Sequence, residues 1–127
     1  MVNFGPIETV PERFRRRTLY RHNDAVTLMR TTVDECITIA KRIAGQLNRA
    51  KGPTVVVLPL RGVSAIDAEH QPFYDPDADR ALFQTLRENL SPTVRIVELD
   101  AHINDPAFAE TVANEMLALL ARSERPK

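Results

Sequence analysis

A single cysteine, Cys36, excludes an internal disulfide and any metal site built from several thiolates, and it fits a reducing, cytoplasmic compartment. Only four glycines are present, and neither G-x-G-x-x-G nor G-x-x-x-x-G-K-[ST] occurs, so no main phosphate loop is encoded here. Charge of one sign is missing too. Seventeen basic and seventeen acidic residues cancel, which removes the general attraction toward a polyanion or a membrane surface. No apolar run approaches the length of a spanning helix, and the N-terminus has no basic segment followed by an apolar one. The 127 residues fit one domain.

What is present is an alternation of strand and helix signals. Residues 25–30 read as a short strand, and Thr32 with Glu35 forms the spacing of a capping box. Val33, Cys36, Ile37, Ala40, Ile43, Ala44 and Leu47 then paint one helical face, closed by Gly52-Pro53. Residues 54–58 are continuously apolar and β-branched, as in a strand covered on both faces. Asp75-Pro76 supplies a cap and a first-turn proline for a second helix carrying Ala78, Leu82, Phe83, Leu86 and Leu90. Residues 94–99 give a third strand, and Asp105-Pro106 repeats the cap before a third helix. The expectation is an α/β fold, a three-layer Rossmann-like parallel sheet in the order β-α-β-α-β-α over residues 25–121. An irregular segment, residues 1–24, precedes it and packs on the domain or on a partner; residues 122–127 form a polar tail.

In an open parallel sheet the carboxyl ends of the strands share one edge, and ligands bind there. Three strands deliver polar residues to that edge: Arg30 and Thr31; Arg61, Gly62, Ser64 and Asp67; Asp100, His102 and Asn104. Thr32, Asp75 and Asp105 are assigned to helix capping and not to a site. Arg30 can pair with a buried carboxylate or bind an anionic ligand, and both readings stand. Gly62 supplies a positive φ or a close backbone approach, and Ser64 closes a turn or donates to a phosphate. Asp67, Asp100 and His102 are the candidates for acid–base chemistry. His22 and His70 lie outside any recognised ligand spacing, so no metal site is expected. Cys36, on an apolar helix face, reads as a small buried hydrophobe. The cluster Arg13, Arg15, Arg16, Arg17 and Arg21, with Phe14 and Tyr20 interleaved, is read as a packing segment facing acidic neighbours, in preference to a nucleic-acid site. The connection over residues 61–74 is long enough to be functional or ordered by a ligand.

Met1-Val-Asn-Phe-Gly5, Thr27-Leu-Met-Arg-Thr-Thr32, Pro59-Leu-Arg-Gly-Val-Ser-Ala-Ile-Asp67, Phe73-Tyr-Asp-Pro-Asp-Ala-Asp79 and Asp100-Ala-His-Ile-Asn-Asp-Pro-Ala-Phe-Ala109 occur in that order. With these motifs the chain resembles the bacterial relatives of the tomato mosaic virus resistance protein, an ATP-binding domain family. Members of that family are much longer and carry their nucleotide motif in an upstream α/β domain. The resemblance therefore implies that this chain is the later part of the second domain, that Met1 matches an internal methionine, and that the whole protein binds ATP with magnesium and forms a homodimer. It does not imply tight nucleotide binding by this stretch alone. The sequence departs from the family pattern at His70, where a glycine is expected before Gln71-Pro72-Phe73. The leading functional reading is a polar edge that binds a small molecule or nucleotide together with the upstream domain. The alternatives are an enzyme domain acting on a small carboxylate or phosphate compound, and a protein-interaction or regulatory module.

Overall fold

The computed structural model describes residues 1–123. It contains β1 (Val2–Phe4), β2 (Leu19–Asn23), β3 (Val26–Met29), α1 (Val33–Leu47), β4 (Val55–Pro59), α2 (Pro76–Asn89), β5 (Arg95–Leu99) and α3 (Pro106–Ser123). From β3 onward the order is the expected β-α-β-α-β-α, in a mixed α/β fold. Helix α3 runs past the expected start of the polar tail, and residues 124–127 of that tail lie outside the described residues.

The sheet differs from the expectation. Among the described residues only β4 and β5 form a parallel ladder, in register from Val55↔Arg95 to Pro59↔Leu99. Strand β3, read as the first strand of the same sheet, is instead the centre of a separate antiparallel sheet ordered β1-β3-β2. A tight turn explains the pairing with β2: Asn23 opposes Val26, and the Asn23 side-chain oxygen accepts a hydrogen bond from the Ala25 N–H at 2.9 Å. The opposite edge of β3 is taken by β1, with Val2 opposite Met29. Residues 1–24, expected to be irregular, thus supply two strands and two 3-10 turns, Ile7–Thr9 and Glu12–Phe14.

Side-chain alternation along β4 and β5 sorts the layers. Leu58 packs in the main core with Ala40 and Ala44 of α1 and Phe83 and Leu86 of α2, and Val56 and Ile96 pack against that group. The alternate residues face the other way, where Arg95 pairs with Glu115 of α3. The helix caps are as expected for α1 and α2. Thr32 and Glu35 complete a reciprocal capping box, and the Asp75 carboxylate accepts from the Ala78 N–H at 3.0 Å. Asp105 behaves differently. Its backbone carbonyl takes the first N–H groups of α3, while its carboxylate accepts from the His102 N–H at 2.8 Å.

Among the N-terminal arginines, Arg17 serves packing. Arg17 makes a double contact with Glu35 at 2.7 and 3.1 Å and also donates to the Arg30 carbonyl, which ties the segment before β2 to the start of α1. Arg21 pairs with Asp24, and Arg13 lies over the Phe14 ring. No described helix is long and apolar enough to cross a membrane.

Candidate functional site

The long connection after β4 is ordered by its own bonds. Phe73, 1% exposed, donates its N–H to the Ile66 carbonyl at 2.8 Å and meets Tyr20 of β2 edge to face, so the antiparallel sheet holds the far end of the loop. His70 has φ +67°, the left-handed region that glycine enters without a Cβ penalty. The family glycine expected at this position and the observed backbone agree.

The near end of the loop is locked to the end of β5. Gly62 has φ +134°, and a Cβ there would lie 2.0 Å from the Asp67 carbonyl oxygen and 2.8 Å from His102 Cδ2. Both readings of this glycine, positive φ and close approach, hold together. The Gly62 carbonyl accepts from the Ile103 N–H at 3.1 Å, and the Arg61 N–H donates to the Ala101 carbonyl at 3.1 Å. His102 Nε2 lies 2.9 Å from the Ser64 carbonyl and 3.2 Å from that of Asp67, while Nδ1 faces the Asn104 N–H at 3.2 Å. Carbonyls only accept and an amide N–H only donates, so the hydrogen bonds assign a neutral imidazole with its proton on Nε2. Both ring nitrogens of His102 are therefore occupied in holding two loops together.

Arg30 ends inside the protein. The residue is 7% exposed, and its Nη2 donates to Asp79 Oδ1 at 2.6 Å, to Asp67 Oδ1 at 3.3 Å and to the Asp75 carbonyl at 3.3 Å. Asp67 and Asp79 are 0% and 5% exposed, and Asp67 also accepts from the Val63 N–H at 3.0 Å. Of the two readings of Arg30, the buried ion pair is the one found. Burial pushes the Asp79 carboxyl up to about 6, with Asp67 adding to the rise and Arg30 opposing it. A folded-state value above the ordinary one means that Asp79 stabilises the fold fully only below its unfolded pKa, and that this contribution is lost as the pH rises through about 6. Glu35 has the opposite sign. Arg17 and the Thr32 N–H hold it down at about 2, so its contribution is present above its unfolded value and is lost in acid.

The remaining candidates are dispersed. Asp100 is exposed and paired with Arg61 through two bonds of 2.8 and 2.9 Å, which hold its carboxyl below the usual range. Thr31 is buried with its hydroxyl 3.3 Å from Cys36 Sγ. Asn104 is exposed at the turn before α3. Among the described residues no hydrogen bond joins the side chains of Asp67, Asp100 and His102 to one another.

The concave surface lies beside this frame. A cleft of about 840 Å³ runs from the end of β4 along α2, between Leu60 and Arg61 on one side and Tyr74, Arg80, Phe83 and Arg87 on the other, with His102 and Asp105 contributing to its wall. Arg61 and His102 are shared with the sequence reading, whereas Tyr74, Arg80, Phe83 and Arg87 were not read as site residues. The usable signal was spacing, because residues 76, 80, 83 and 87 recur on one face of α2.

Comparison with known proteins gives the family of the chain. The family model for the C-terminal domain of the uncharacterised protein family UPF0261 matches residues 1–120. A UPF0261 protein of Clostridium tetani is 53% identical over 123 residues, 96% of this chain and 30% of the relative. One from Rhizobium meliloti is 54% identical over 112 residues, 87% of this chain and 28% of the relative. The ToMV resistance protein Tm-1 of Solanum lycopersicum is 42% identical over 125 residues, 97% of this chain but 17% of the relative. The chain thus spans under a third of the length of these relatives. With the C-terminal model matched over nearly all of its residues, the chain belongs to the uncharacterised protein family UPF0261, of which it is the C-terminal domain.

Proposed function

We propose that this domain is the ligand-binding C-terminal part of a nucleotide-binding protein, and that it contributes one wall of a site completed by an upstream domain. The observation that carries the reading is the cleft beside the carboxyl ends of β4 and β5, the edge at which open α/β sheets take their ligands. The hydrogen bonds beneath it support the reading of a built wall: His102, Gly62 and the Arg30 ion pairs tie the loop to the end of β5, to β3 and to α2. The relatives supply the length for a second wall, since the chain covers 30% of the Clostridium tetani protein. ATP with magnesium is the ligand proposed for the whole protein on the family resemblance of the sequence motifs; this glycine-poor chain has no phosphate loop of its own, so the proposal puts that loop in the upstream domain.

Calorimetric titration of ATP, with and without magnesium, into this chain and into a version extended upstream to the length of the relatives tests the proposal. Saturable binding by the longer protein alone is the expected result. Equal binding by both would remove the shared wall, and binding by neither would remove the nucleotide.

A further inference from the structure

The charges around the cleft are unevenly committed. Among the acidic side chains of its wall, Asp79 is bound to Arg30 and Asp105 to the His102 N–H, which leaves Glu69 at the rim beside His70. The three arginines of the wall have partners that stand outside it: Asp100 for Arg61, Asp77 for Arg80 and Glu98 for Arg87. The first two pairs are open to water, with side chains 64% and 75% exposed for Arg61 and Asp100, and 70% and 79% for Arg80 and Asp77. The single-contact Arg80–Asp77 pair contributes little and the bidentate Arg61–Asp100 pair somewhat more, and an anion entering the cleft offers the guanidinium groups charge-assisted bonds in exchange.

The same wall is apolar between the charges. Leu60 and Tyr74 are large side chains left 40% and 48% exposed at its mouth, and Phe83 lies buried beside them. Guanidinium planes and aromatic rings both stack on flat π systems. A volume of about 840 Å³ suits a small molecule and is more than a bare inorganic anion fills.

We infer that the cleft takes a small anion, a carboxylate or phosphate, carried on a flat ring, with Arg61, Arg80 and Arg87 receiving the charge and Tyr74, Phe83 and Leu60 the ring. This rests on the reading of the strand-end edge as a binding edge, but it concerns this domain's own wall and needs no upstream phosphate loop. Phenyl phosphate and benzoate carry both parts; inorganic phosphate carries only the charge, and benzyl alcohol only the ring.

Each probe is titrated into the 127-residue chain and followed by the amide and ring resonances of Tyr74 and by the amide and guanidinium Nε resonances of Arg80. At least one of the two ring-bearing anions should saturate, with inorganic phosphate and benzyl alcohol each weaker by about tenfold or more. The ring-bearing anion that binds more tightly identifies the preferred charge. Arg80→Gln and Tyr74→Ala, both at exposed positions, should each weaken that binding by about tenfold while leaving the melting midpoint in place. The inference is overturned if inorganic phosphate or benzyl alcohol binds as well as the tighter of the two ring-bearing anions, if no probe saturates, or if neither variant changes the affinity. Failure of ATP to bind the extended protein, with phenyl phosphate still saturating this chain, would count against the nucleotide alone. ATP binding that Arg80→Gln leaves intact and phenyl phosphate does not displace would count against the cleft alone.

Discussion

Arg30→Met should cost about 3–5 kcal/mol of folding stability at neutral pH, measured by urea unfolding with linear extrapolation. The substitution keeps most of the buried volume and removes the cation that stands between Asp79 and Asp67, two carboxylates with almost no access to water. Out of the roughly 5–15 kcal/mol available to a domain, that loss leaves a marginal fold. The pH dependence distinguishes an ion-pair effect from a packing effect. Asp79 is already pushed up to about 6 by burial, so in the wild type the group favours folding more at about pH 5 than at about pH 7.5. Without Arg30 the carboxyl loses the partner that opposes its protonation, and the destabilisation should shrink on acidification. Asp79→Asn, which retains an acceptor for Arg30, should remove most of the slope through this window. A pH-independent loss of under about 1 kcal/mol for Arg30→Met would show that the buried network is not what holds β3, the loop and α2 together.

Gly62→Ala is the second large effect. The added methyl meets a backbone carbonyl and the His102 ring at distances no side-chain motion relieves, and the φ of +134° is strained for any residue with a Cβ. A loss of about 3 kcal/mol or more is expected from strain and overpacking combined. Displacement of the loop would break the hydrogen bonds from His102 Nε2 to the Ser64 and Asp67 carbonyls, so the His102 ring resonances should shift in NMR spectra. Wild-type stability with an unchanged His102 resonance would contradict the close approach.

Local features were legible in the sequence because their causes are local. Thr32 and Glu35, Asp75-Pro76 and Pro106 set the starts of the helices within a few residues of their own signals. The antiparallel sheet escaped because β1 has three residues and finds its partner across most of residues 1–29, where no short-range pattern survives. Its one local cue was the Asn23-Asp24 turn. At the site, the partners of Arg30 and His102 are remote in sequence. Asp67 and Asp79 lie 37 and 49 positions from Arg30, and the carbonyls that occupy His102 lie 35 and 38 positions away. Arg80 and Arg87 line the cleft with Tyr74 and with Leu60 and Arg61 beyond β4, a juxtaposition that no short-range pattern carries.

The hydrogen bonds between the loop after β4 and the turn after β5 should make them one rigid edge. Native-state hydrogen exchange of the ligand-free chain measures this directly at the Val63, Asp67, Phe73 and Ile103 amides, whose acceptors are the Asp67 carboxylate and the Ser64, Ile66 and Gly62 carbonyls. Protection close to that of the β4 amides is the predicted result. Exchange of these four amides at the rate of an open loop, with β4 still protected, would contradict it.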